Sequence, residues 1–252
     1  MKKILAALLL TSTLLLLCAC GSVPGNAGTA SGTEAGETPE VIESAAPAEK
    51  PEVYFALDES GSYTDSFGSS YTYSYRIPAF SGGSEDAARI NKYFDDILRP
   101  IVDDELASAN SGVSLNVNTI NCDVYESGNI TSVIVSVCYP NDYIEYYTAS
   151  MNTLENREMN NADLAAACGV DETALPDYLR AAATTAIEQF YANFGDISGD
   201  GFADVAGKRD ETLSEIGADE WNPTLFINGE GKVCMISEVM SPVGQYNYIF
   251  TL

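Results

Sequence analysis

Histidine is absent from all 252 residues, and bases are scarce: 12 Lys and Arg stand against 37 Asp and Glu, a formal net charge of −25. The first absence removes the side chain most often used for general acid-base work and for activating a Ser or Cys nucleophile. It also excludes zinc sites of the His-rich kind. The second argues against nucleic acid and against adhesion to anionic lipid, and for either a solvated acidic surface or a cationic partner.

What is present begins with an address. Lys2 and Lys3 precede an apolar run, Ile4 to Leu17, broken only by Thr11, Ser12 and Thr13. This is the layout of a secretory signal, and the run is too short for a membrane span of about 20 residues. Leu17, Cys18 and Ala19 ahead of Cys20 resemble the lipobox of bacterial lipoproteins. Residues 1–19 are therefore expected to be a lipoprotein signal peptide, and Cys20 the lipidated residue. Cys18 is disfavoured because Leu17 before it is bulky. Two acyl chains of the palmitate kind, at about 0.8 kcal/mol per buried methylene, would hold the chain at the extracytoplasmic face of the cell membrane.

Residues 20–50 are expected to be a linker. After Cys20 they are almost entirely Gly, Ser, Thr, Ala, Pro and Glu, with no aromatic residue. Such a segment buries too little apolar surface to offset its chain entropy, so disorder is expected, with a reach of about 30 Å. Residues 51–252 are long enough for one domain with a real core, or for one in two sub-halves at about 51–150 and 151–252. They carry 9 bases and 32 acids, a net −23.

Hydrophobic period sketches the domain. Val53 to Leu57 and Tyr71 to Ile77 read as strands, with Ser60 to Ser70 between them rich in turn residues. Ser84 followed by Glu85 and Asp86 is a helix start, and Ala87, Ile90, Phe94, Ile97 and Ile101 keep helical spacing, with Pro100 as a kink or stop. Strands are predicted at Leu115–Tyr125, Thr131–Tyr139 and Tyr143–Met151, the first two joined by a hairpin at Ser127-Gly128-Asn129. Helix returns weakly at Asn161–Cys168 and strongly from Asp171, with Leu175, Leu179, Ala182, Ala186 and Phe190 on one face and Pro176 in the first turn. A short helix at Glu211–Ile216 and strands over Thr224–Val239 and Tyr246–Leu252 close the chain, Asn228-Gly229-Glu230-Gly231 turning the first of them. The class is α+β, antiparallel sheets packed with two main helices.

This order, with Ile90-Asn91 in the first helix, the strand Thr131 to Val137, the tyrosine-rich strand running into Asn152 to Met159, and the closing strands Leu225 to Val239 and Ile249 to Leu252, resembles a family of extracytoplasmic domains. These are the domains of unknown function in RsiV-like lysozyme-sensing anti-sigma factors and PdaC-like peptidoglycan deacetylases. The chain departs from the family at Met240-Ser241-Pro242-Val243-Gly244 and has neither an anti-sigma region nor a deacetylase domain. The resemblance implies a binding or sensing module for a cationic protein such as lysozyme. The alternative is an accessory domain contacting peptidoglycan or a membrane partner, with Tyr143, Tyr146 and Tyr147 stacking on sugar rings or simply filling a half-buried strand.

Three sets of side chains are candidates for chemistry. Asp95-Asp96, Asp103-Asp104-Glu105 and Asp219-Glu220 supply the carboxylates that a glycosidase needs, but a solvated helix face explains adjacent acids better, so no catalytic residue is assigned. Asp196, Ser198, Asp200 and Asp204 match the start of an EF-hand calcium loop, with Gly201 at its sixth place; the twelfth is Gly207 instead of Glu, and a turn favouring Asp and Gly accounts for the same residues. No cofactor is otherwise implied. Of the domain cysteines, a two-residue turn at Gly128-Asn129 sets Cys122 opposite Val135 and leaves Cys138 out of register, so that pair is expected to be unbonded. Cys168, on an alanine-rich turn, is expected to be a small core residue.

Overall fold

Alternating apolar residues with β-branched and aromatic neighbours build nine strands, and four helices intervene among the described residues of this computed structural model, an α+β architecture. The structure describes residues 50–140, 142–171, 173–193, 205–219, 221–241 and 244–252. Cys20, the signal segment and the linker up to residue 49 lie outside them. The described residues belong to one compact unit, which does not divide near residue 150.

The elements run β1 (Val53–Thr64), β2 (Ser70–Phe80), α1 (Glu85–Asn110), β3 (Thr119–Ser127), β4 (Ile130–Cys138), β5 (Ile144–Asn152), β6 (Arg157–Glu158), α2 (Asn161–Ala167), α3 (Leu175–Ala192), α4 (Val205–Gly217), β7 (Thr224–Ile227), β8 (Val233–Ser241) and β9 (Gly244–Thr251). Strands β1 to β6 form one sheet in sequence order, and β7 to β9 a second. The first sheet is not wholly antiparallel, since β2 and β3 meet in parallel at Ser74–Thr119 and Tyr75–Ile120. The reason is α1, whose 26 residues carry the chain back along the length of β2 before β3 begins.

Burial follows the period-two alternation of the central strand. Val133, Val135 and Val137 of β4 join Tyr75, Ile90, Phe94, Leu98 and Ile120 in a core beneath α1. Ile134, on the opposite face, meets Phe226, Cys234 and Ile236 of the second sheet. The other face of that sheet, with Leu225, Ile227, Val233, Met235 and Phe250, packs on α2, α3 and α4 through Leu164, Leu179, Ala183, Ile187 and Ile216. The layers are thus helix, sheet, sheet, helices. Between the sheets Ser132 and Ser150 share a hydrogen bond of 2.8 Å, and the Ile227 amide donates to the Ser132 hydroxyl at 3.2 Å.

Several boundaries differ from the periodicity. Strand β1 continues to Thr64, because Tyr63 stacks on Tyr71 and Gly61 makes room for Tyr73, whose hydroxyl would stand 2.5 Å from a Cβ at that position. The turn is only residues 65–69. Pro100 neither stops α1 nor occupies its buried face; it is exposed, so the carbonyl it leaves without an amide donor faces solvent. Leu98 and Val102 are buried where Ile97 and Ile101 were expected, and Ala183, Ile187 and Tyr191 where Ala182, Ala186 and Phe190 were. The shift of one residue is confined to the C-terminal part of each helix, since Ala87, Ile90 and Phe94 of α1 and Leu175 and Leu179 of α3 are buried as expected. Strand β3 begins at Thr119 rather than Leu115, because the Asn116 and Val117 amides are held by Glu105 of α1 and the Leu115 amide by the Tyr63 hydroxyl of β1.

The Ile90-Asn91 pair has a clear local role. Ile90 is buried, and Asn91 clamps the end of β2, accepting from the Phe80 amide at 2.7 Å and donating to the Phe80 carbonyl at 2.9 Å.

Candidate binding surface

Strand directions give the first sheet two dissimilar ends. At one, where the chain enters from the linker, Pro51 lies beside Gly82 and Asn156. At the other, the distal end, about 35 Å away by the rise of a 12-residue strand, stand the β1–β2 turn, the loop after α1 and the β4–β5 turn.

The β4–β5 turn is closed by the Tyr139 amide donating to the Tyr143 carbonyl at 2.9 Å, with Asp142 in the left-handed region at a φ of 62°. The Tyr139 and Tyr143 rings lie 5.7 Å apart at 48°. The hydroxyls of Tyr139 and Tyr147 both donate to one oxygen of Glu145, at 3.0 and 2.9 Å. Tyr146 points the other way, towards the inter-sheet core of Ile134 and Phe226. Tyr143, Tyr146 and Tyr147 therefore do not make a common stacking platform; Tyr139 and Tyr147 gather on Glu145, while Tyr143 tilts against Tyr139 and its hydroxyl accepts from the Asn247 side chain. Period two places Glu145 and Tyr147 on one face, a signal legible in the sequence, but Tyr139 joins them only through the turn.

Burial, then the bond to Glu145, pushes the Tyr139 phenol up to about 12. The same causes raise Tyr147, and burial followed by the charge of Glu105 raises Tyr75. Since the folded values lie above the unfolded value near 10, these phenols contribute stability that is whole below pH 10 and is lost as pH rises through the folded values. Spectrophotometric titration is expected to show a tyrosine class ionising only together with alkaline unfolding. If all tyrosines ionise near pH 10 without loss of structure, the burial of these hydroxyls is wrong.

The paired carboxylates prove to be surface and scaffold. Asp95 and Asp96 are exposed and pair with Arg99 and Lys92 one turn away along α1. Asp103 and Asp104 are exposed, and adjacent helical positions point apart. Glu105 turns inward, 5% exposed, and accepts from the Asn116 and Val117 amides at 3.0 and 3.2 Å. Asp219 is exposed, and Glu220 lies outside the described residues. So do Asp196, Ser198, Asp200 and Asp204 of the calcium-like loop. Among the described residues no group of three metal-ligating side chains comes together, and no helix is long and apolar enough to cross a membrane.

Cys122, Cys138, Cys168 and Cys234 are unbonded. Cys122 pairs with Val135 in the register expected, across a turn with Gly128 at a φ of 60°, the first central position of a II′ hairpin. Cys122 packs under α1, whereas Cys138 alternates with Val137 and so faces the other side of the sheet. Cys168 is not a core residue. It is exposed, caps the C-terminus of α2, and reaches the Gly231 carbonyl at 3.8 Å.

Charge is distributed unevenly between the two signs. From Arg76 to Lys232, eight of the bases are held in ion pairs, which engage ten carboxylates. The ninth, Arg180, donates to the Gly217 and Ala218 carbonyls at the end of α4. Glu59, Asp103, Asp104, Asp123, Glu126 and Asp142 are exposed with no basic partner among the described residues. Pairing thus neutralises the bases and leaves a negative surplus facing solvent. No protein-family model matches the chain, and comparison with curated proteins likewise finds no match.

Proposed function

We propose that this is a lipoprotein, anchored through Cys20 at the extracytoplasmic face of the membrane, whose domain binds or senses a cationic protein, lysozyme being the first candidate. One observation carries the reading: the bases of the domain are spent on internal pairing while exposed carboxylates, Asp103, Asp104 and Asp142 towards the distal end among them, have no basic partner among the described residues. Such a surface draws a cationic protein by long-range attraction, raising the association rate more than it strengthens the final contact. The resemblance to lysozyme-sensing domains points the same way. The tilted Tyr139 and Tyr143 rings, with Glu145 on the Tyr139 hydroxyl, favour a second reading, contact with cell-wall glycan, because aromatic rings and a carboxylate suit a sugar's apolar face and hydroxyls.

Salt separates the two. Binding of residues 51–252 to a cationic lysozyme is expected to be saturable, to weaken about tenfold from low to physiological salt through a slower association, and to be absent from an equally acidic unrelated protein. Glycan stacking would scarcely respond to salt. Binding no better than the control sinks lysozyme as the partner.

A further inference from the structure

We propose that Phe67 is a preformed anchor, by which the end of the domain opposite the linker docks into an apolar pocket of a positively charged protein. The proposal rests on the cationic-partner reading above and adds the residue that fixes the contact. Single exposed apolar side chains are ordinary on protein surfaces. Phe67 differs in two respects, its degree of exposure and the rigidity of what holds it. It is 90% exposed, at the tip of the β1–β2 turn. That turn is tied at every step. Asp65, itself 9% exposed, accepts from the Phe67 and Ser69 amides at 2.9 and 2.8 Å through one carboxylate oxygen. Its backbone accepts from Gly68 at 3.0 Å and donates to Ser69 at 2.9 Å, and the Ser66 amide donates to Gly112 at 3.0 Å. Gly68 at a φ of 88° and Gly112 at a φ of 66° supply the left-handed steps that this geometry needs.

A large apolar side chain held out in water has no stabilising role in the free domain, and the backbone that carries it is ordered before any partner arrives. Burying such a ring from a backbone already in place strengthens a contact by on the order of tenfold to a hundredfold. Val113, 54% exposed, follows the glycine that receives the Ser66 amide and extends the apolar tip.

Position and charge select the occupant. The tip stands at the far end of β1 from Pro51, where the chain enters the domain. A second copy would bring the same domain charge of −23 against this one. Asp103, Asp104 and Asp142, exposed towards the same end, suit instead a pocket with a basic rim.

The test uses the full, lipidated chain in its own cells, with the photoreactive residue p-benzoylphenylalanine in place of Phe67, or in place of Leu154, which is 77% exposed on the turn at the linker end. The expected result is a protein adduct at position 67 only, to a basic protein which, once purified, binds the Phe67→Ala chain at least tenfold more weakly than wild type. The loss should fall on dissociation, with the salt dependence and melting temperature unchanged and Phe67→Trp close to wild type. An adduct to lipid, to a second copy or equally at both positions overturns the proposal. So does no adduct, or a partner indifferent to Phe67→Ala. A chain that ignores lysozyme yet gives the expected adduct refutes lysozyme alone, while lysozyme binding untouched by Phe67→Ala, with no adduct, refutes the anchor and leaves the charge reading standing.

Discussion

Phe226→Ala is expected to lower the unfolding free energy by about 4 kcal/mol, a large share of the total for a domain of this size. Phe226 is 2% exposed, lies between the two sheets, and its ring stacks on Tyr125 at a centroid distance of 5.9 Å with 12° between planes. Around it are Ile134 from the first sheet and Cys234 and Ile236 from the second. Truncation removes the filling of the seam where the sheets meet, and backbone on both sides, fixed by its own ladders, collapses only in part. Because this seam couples the layers, the wild-type domain is expected to unfold in one urea transition seen equally by far-ultraviolet dichroism and tyrosine fluorescence. Two separable wild-type transitions, or a cost under about 1 kcal/mol for the substitution, would show that the halves are independent.

Glu105→Ala is the second large effect, about 3 kcal/mol, and its cause is different in kind. The carboxylate gathers the amides of Asn116 and Val117, while the Tyr75 hydroxyl donates to the Val117 carbonyl at 2.8 Å. Together they hold the loop between α1 and β3 against the core. Removing the acceptor leaves the buried Val117 amide without a partner and frees the part-buried Asn116 amide, and the desolvation cost of the first exceeds the net worth of the bonds themselves. Glu105→Gln keeps one carbonyl acceptor and should cost about half as much; Glu105→Leu restores packing without an acceptor and should resemble alanine. Equal urea midpoints for wild type and Glu105→Ala would mean that the loop is held by the Tyr63 and Tyr75 hydroxyls without Glu105.

Element types and most of their order were legible because hydrophobic period and punctuation agree. The alternation of Val133, Val135, Val137 and the glycine at 128 specify both the β3–β4 hairpin and its register, and the register in turn separates Cys122 from Cys138. Ser84 caps α1 as its position before two acids predicts, its side chain accepting from the Ala87 amide at 3.0 Å. The extension of β1 to Thr64 was not legible, because serine, glycine and threonine signal a turn locally, and only stacking of Tyr63 on Tyr71 from the partner strand outweighs that preference.

The binding surface divides the same way. Net charge, the missing histidine and the lipobox-like Cys20 are properties of composition and local order, and the sequence by itself determines them. Which carboxylates remain without a base, that Glu105 is scaffold while its neighbours Asp103 and Asp104 face water, that Tyr139 joins Tyr147 on Glu145 while Tyr146 turns away, and that Phe67 stands opposite the linker were decided by the tertiary structure. The reason is physical: composition sets the sum of the charges and local period sets the face of each residue, but partnership depends on distances across strands and layers, which no local signal encodes.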